Sequence, residues 1–232
     1  MTVAEYNSSI NALFNDWIEN QKDKGGTFIK DGVISPNDWF AQDIRPLFLL
    51  KEAYGEGNTW NLVDLINNTS KSAVGAFAAI PYWTEAIFNT TKDKIEPFKG
   101  NSKYRKLGND MLKKIAVVNV KKYNGKSSSQ YNDILKYAEE DSAFLKREIE
   151  IIDPTIIICG YTIRPLEKIL DVNLKDGEKY NELLFYTANI NGRETLVIDF
   201  WHPSLRTPKL MSYYGLANVY QIYLQKLATK GT

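Results

Sequence analysis

Apolar residues recur at helical spacing over residues 4–21, where Ile10, Leu13, Phe14, Trp17 and Ile18 share one face, and Gly25-Gly26 ends the pattern. Residues 46–50, Pro-Leu-Phe-Leu-Leu, are short and continuously apolar, as expected of a strand buried on both faces of a parallel sheet. A glycine-bearing loop, residues 51–57, is expected straight after it. Residues 59–90 read as two helices interrupted near Ser70 to Gly75 and rich in aromatics: Trp60, Phe77, Tyr82, Trp83 and Phe88. Residues 115–120 predict a second buried strand, followed by a polar loop over 121–129. From 131 to 152 apolar residues fall at Ile134, Ala138, Leu145, Ile149 and Ile152, which predicts one long amphipathic helix stopped by Pro154. Residues 155–159 give a third strand, Gly160 a turn and 163–170 a helix. Residues 183–186 and 196–200 read as further strands, with Asn191-Gly192 marking a hairpin between them. Residues 208–228 close the chain as a helix.

Strands alternating with helices of this length predict an α/β fold, three layers α/β/α around a central, mostly parallel sheet. The expectation is a single domain over 1–232, with 60–100 as a helical insertion. No repeat, low-complexity tract or linker interrupts it. The first residues lack a basic region followed by an apolar run, and no stretch of about 18 apolar residues occurs. An intracellular, cytoplasmic protein with no membrane partner is expected.

Composition narrows the chemistry. The 232 residues include one His and one Cys, and 29 Lys+Arg against 28 Asp+Glu leave a formal charge of +1. A lone Cys159 forbids an internal disulfide and a multi-cysteine zinc or iron–sulfur site, and a lone His202 forbids a two-His metal site. No P-loop or GxGxxG follows a strand. Charge is nevertheless segregated: residues 92–126 hold eleven basic residues against three acids, and 133–153 hold seven acids against three bases. A stretch of that kind is either a solvated face or a polyanion-binding site.

Ligands of open α/β sheets bind beyond the carboxyl ends of the strands. Three such ends carry polar groups here: Lys51-Glu52-Ala53-Tyr54-Gly55, Asn119-Val120-Lys121-Lys122, and Trp201-His202-Pro203-Ser204-Leu205-Arg206. Taken singly, each has a structural use: Glu52 as a solvated loop acid, Asn119 as a cap, His202 as a satisfied core residue.

Together, and in this order, they resemble the uracil-DNA glycosylase superfamily. Its thermophilic iron–sulfur branch has a first motif GEAPG, matched at Glu52, Ala53 and Gly55. The family's second strand ends in Asn followed closely by a basic residue, as Asn119 and Lys121 do, and its last motif is His-Pro-Ser, as at 202–204. The resemblance covers roughly residues 40–228 in short scattered motifs. Lys51 stands where the motif has glycine and Tyr54 where it has proline, and the branch's four cysteines are absent.

The resemblance implies a uracil-DNA glycosylase-like fold and a monofunctional glycosylase that flips uracil or a modified base and hydrolyses its N-glycosidic bond. It implies Glu52 as the carboxylate acting on water and on the cationic sugar, and His202 as donor to the departing base. Asn119, Ala53, Tyr54 and an aromatic among Phe77 and Trp83 (with Trp60 and Tyr82 as alternatives) would hold the base. Lys121, Lys122, Ser204, Leu205 and Arg206 would meet DNA, Leu205 as a wedge. DNA is the expected partner of a monomer that needs no metal or cofactor. Alternatives are a glycosylase for a non-uracil base, such as a phage-type modified pyrimidine, or a catalytically silent DNA-binding member of the fold.

Overall fold

The computed structural model describes residues 1–21, 27–54, 61–68, 75–100, 108, 110–125, 129–174 and 185–230. In chain order the elements are α1 (Val3–Asn20), β1 (Gly32–Val33), α2 (Pro36–Phe40), β2 (Pro46–Tyr54), α3 (Leu62–Asn68), a 3-10 turn (Gly75–Ala78) and α4 (Ile80–Phe88). They continue as β3 (Ala116–Gly125), α5 (Tyr131–Glu140), α6 (Ser142–Ile152), β4 (Ile156–Gly160), α7 (Ile163–Leu170), β5 (Phe185–Ile190), β6 (Arg193–Phe200) and α8 (Lys209–Lys230).

The six strands form one sheet in the order β1-β3-β2-β4-β6-β5. The inner four are parallel, and the two edge strands pair antiparallel to their neighbours. Side chains of a strand alternate between faces, so each inner strand serves two cores. Leu47, Leu49, Val118, Ile157, Cys159 and Val197 face α1, α5, α6 and α7. Phe48, Leu50, Val117, Ile158 and Ile198 face α4 and α8. The architecture is therefore three-layered α/β/α, as the alternation of elements predicts.

Local chemistry explains several boundaries. At the start of α1, Thr2 Oγ1 accepts from the Glu5 N–H at 3.2 Å while Glu5 Oε2 accepts from the Thr2 N–H at 2.7 Å, a reciprocal capping box. The β5–β6 hairpin turns at Asn191-Gly192, as that dipeptide predicts.

Three expectations change. The helix over 131–152 is two helices, broken at Asp141, whose carboxylate turns inward to the side-chain amide of Gln21 at the end of α1. A buried tertiary bond outweighs periodicity there, and Asp is a weak helix former. The loops expected after residues 50 and 120 are strand: β2 and β3 run on together, pairing Glu52 with Lys121 and Tyr54 with Gly125. Two short elements, β1 and α2, were too brief to leave a periodic signal. Within 60–100, expected as a helical insertion, α4 is buried from Ile80 to Ile87 and covers one face of the sheet.

Candidate active site

Parallel strands bring their carboxyl ends to one edge, and β2, β3 and β6 deliver the three sequence motifs there. Strand β4 lies between β2 and β6, which sets Glu52 and the His202 turn about 10 Å apart laterally at about 4.8 Å per strand.

Glu52 is a buried strand residue, not a loop acid: its side chain is 5% exposed. Its Oε2 lies 3.2 Å from Lys121 Nζ, which also donates to Asp133 Oδ2 at 2.7 Å and sits 5.1 Å above the Tyr137 ring. Burial by itself would lower the Lys121 pKa, but the hydrogen bonds to Asp133 and Glu52 outweigh it and raise it. Gly125, opposite, makes room for this carboxylate; a Cβ there would lie 2.7 Å from Glu52 Oε2 and closer still to its Cδ.

Asn119 is buried, and Asp31 Oδ2 accepts from both its backbone N–H (2.8 Å) and its Nδ2 (3.0 Å). A carboxylate oxygen accepts only, so this contact fixes the amide with Nδ2 toward Asp31 and Oδ1 turned away. Lys122 does not meet the expectation of a DNA contact. It is fully buried, donates to Asp31 and to Glu148 (3.0 Å to Oε1), and stands 5.5 Å from the Trp17 ring and 5.8 Å from the Phe14 ring. Burial raises the Glu148 pKa, and the nearby Lys122 ammonium only partly counters it. Lys121 likewise spends its charge on Glu52 and Asp133.

His202 follows β6. Its Nδ1 accepts from the Ser204 backbone N–H at 3.3 Å and lies 2.7 Å from Ser204 Oγ. With Nδ1 an acceptor, the proton sits on Nε2, from which no described residue accepts. Burial first, then the charge of Lys51, pushes the pKa down from 6.5 to about 4, so the ring is a neutral N–H donor at physiological pH. Gly160, at the end of β4, lets this turn approach: a Cβ there would lie 2.9 Å from Leu50 Cδ2 and 3.4 Å from His202 Cα. Ser204, Leu205 and Arg206 are exposed beyond it, Leu205 at 44%.

The proposed base-holding aromatics separate. Trp83 is 1% exposed, stacked on Phe48 at 6.5 Å and met edge-on by Phe200 at 5.1 Å, so it is core and not a stacking platform. Tyr82 is core as well. Phe77 is half-buried against the same cluster, and Ala53 is buried. Trp60 and the side chain of Tyr54 lie outside the described residues. The basic stretch is likewise not one surface. Lys92 pairs with Asp93, Lys94 with Glu96 and Lys99 with Glu85, while Lys114 precedes β3 and lies about 23 Å from Lys121 at about 3.3 Å per residue. Lys103, Arg105, Lys106 and Lys126 lie outside the described residues.

Three residues of the site left no motif. Asp31, Asp133 and Tyr161 act through tertiary neighbours, and only Tyr161, directly after a strand-ending glycine, stood where the sequence directs attention. No protein-family model matches the chain, and no curated protein matches it. Among the described residues no helix is long and apolar enough to cross a membrane, and no group of three or more His, Cys, Asp and Glu could hold a metal ion.

Proposed function

We propose that this chain is a monofunctional DNA glycosylase with a uracil-DNA glycosylase-like fold, which flips a uracil or modified base and hydrolyses its N-glycosidic bond to leave an abasic site. The observation that carries the reading is the Ser204–His202 bond, because it leaves at the carboxyl edge of a parallel sheet a neutral Nε2–H from which no described residue accepts. Such a donor, aimed at the oxygen on which a departing base gathers negative charge, is worth roughly 3 kcal/mol of barrier.

Glu52 serves as counter-charge to the oxocarbenium-like sugar and orients the attacking water. Asn119, its Nδ2 fixed by Asp31, offers Oδ1 as acceptor to a base N–H. Leu205 is the wedge for the vacated stack and Arg206 a phosphate contact. The reading needs DNA as partner, no metal or cofactor, and places a monomer in the cytoplasm. Lys51 beside the His202 turn favours a base other than plain uracil, such as a modified pyrimidine.

The test is incubation with oligonucleotides carrying one uracil, one deaminated purine or one modified cytosine, followed by alkaline cleavage of abasic sites. Strand breaks with at least one substrate, reduced about 100- to 1,000-fold by His202→Ala and strongly by Glu52→Gln, are expected. No product from any substrate, with salt-sensitive DNA binding retained, would make the chain a silent binding member of the fold.

A further inference from the structure

Lys51 immediately precedes Glu52 in β2, so its side chain leaves the opposite face of the strand. Its ammonium stands 6.0 Å from the centroid of the Tyr161 ring. Tyr161 has the left-handed φ of 59°, an uncommon and strained conformation for a bulky side chain, and exposes 44% of its surface. Its N–H donates to the carbonyl of Phe200 at 3.1 Å, two residues before His202, and Gly160 packs against the His202 backbone. Tyr161 thus links the Lys51 ammonium to the His202 turn across the end of β4, and the charge of Lys51 lowers the imidazole pKa. Lys51 is half-buried, and no carboxylate among the described residues pairs with it. A half-buried cation that no described carboxylate neutralises has lost part of its hydration. A cation and a neutral N–H donor at the same strand ends suit a negative charge.

Resting on the glycosylase reading, we propose that Lys51 is a second anion-stabilising group of the site, held over Tyr161 and facing the departing base beside His202. The C1′–N bond breaks and its electron pair leaves with the base. The charge spreads to the base oxygen, where Nε2–H and the ammonium meet it. Water oxygen then bonds to C1′, its proton passes to Glu52 and on to solvent, and the base anion takes a proton from solvent. A second positive group matters most for poor leaving groups, so the substrate class is pyrimidines whose anions are less stable than that of uracil, including 5-alkylated and cytosine-type bases. Tyr161 is a positioning residue that keeps the ammonium from swinging into solvent.

The experiment measures single-turnover excision, enzyme in excess, on one oligonucleotide carrying 5-fluorouracil, uracil or 5-methyluracil, for the wild type, Lys51→Gln and Lys51→Arg. Lys51→Gln is expected to slow 5-fluorouracil about 10-fold and uracil about 100-fold, steepening the dependence on leaving group, while Lys51→Arg stays near the wild type. A uniform slowing of all bases overturns the inference. So does a drop of about one in the salt slope of DNA binding, which would make Lys51 a phosphate contact. A wild type inactive on every base overturns the glycosylase reading itself. Should Lys51→Gln not fold, inhibition of the wild type by free 5-fluorouracil decides: it must tighten as pH rises through that base's own ionisation, and a flat profile overturns the inference.

Discussion

The Ser204 backbone N–H donates to Nδ1 of His202 at 3.3 Å, and that contact decides which nitrogen of the only histidine carries the proton. The tautomer is set by a residue two positions away, inside a Pro-Ser turn, and so does not depend on substrate.

A single histidine makes this directly measurable. Its ring resonance in proton NMR should titrate near pH 4, well below the ordinary 6.5. Between those values the unfolded chain binds a proton that the native chain does not, so stability is full above about pH 6.5 and falls as pH drops toward 4. The loss attributable to this ring is up to about 3 kcal/mol, from about 1.36 kcal/mol per pKa unit. Urea melts of wild type and His202→Gln across that window should differ in slope; identical slopes would place the imidazole in solvent.

Glu52 has no room to move. Gly125→Ala inserts a methyl group against its carboxylate, displacing a group proposed to face water and sugar without changing any reacting residue. Excision should fall about 100-fold, the cost of misplacing a catalytic group by about 1 Å. Single-turnover rates at saturating enzyme measure it, and a rate within a factor of two of wild type would detach Glu52 from the reaction.

Lys122 is the one cation between Asp31 and Glu148. Lys122→Met should cost about 3–5 kcal/mol, since it strands buried acid groups. Glu148→Gln should cost less than Lys122→Met, because burial already disfavours the charge of the acid it replaces. Chemical denaturation separates the two, and neither change should alter the salt dependence of DNA binding.

Leu205 projects from the His202 turn with 44% of its surface exposed. Leu205→Ala should leave stability within about 0.5 kcal/mol of wild type, as for other exposed positions. It should lower excision from duplex more than from single-stranded DNA, because only a duplex has a stack to fill. Equal loss on both substrates would make Leu205 an ordinary surface residue.

Much of this architecture was legible because its causes are local. Continuous apolar runs at 46–50 and 115–120 can only be buried strands or helix fragments, and their shortness decides for strands. The rule that sites form beyond parallel strand ends points to Glu52, Asn119 and His202 from the sequence alone. The boundaries failed where a distant partner intervened. Residues 51–54 and 121–125 are polar, yet they pair as strand because Glu52 and Lys121 neutralise one another across the ladder. The 131–152 helix breaks at Asp141 because Gln21, 120 residues earlier, binds its side chain.

Lys121 and Lys122 show where sequence ends and tertiary structure begins. Side by side they are chemically identical, and the strand period dictates only that they point to opposite faces. Lys121 meets Glu52 across the ladder and Asp133 of α5 at the edge of the proposed site, and stays partly open to solvent. Lys122 meets Asp31 and Glu148 of α6 under α1, where it is sealed. The sequence by itself determined the alternation of strands and helices that makes the three layers, since that pattern follows from neighbours a few residues away. Which lysine guards a carboxylate and which is buried as a structural ion was decided by acids brought in from 69 to 91 and 12 to 26 positions away, and only the folded chain brings those charges within a few ångströms.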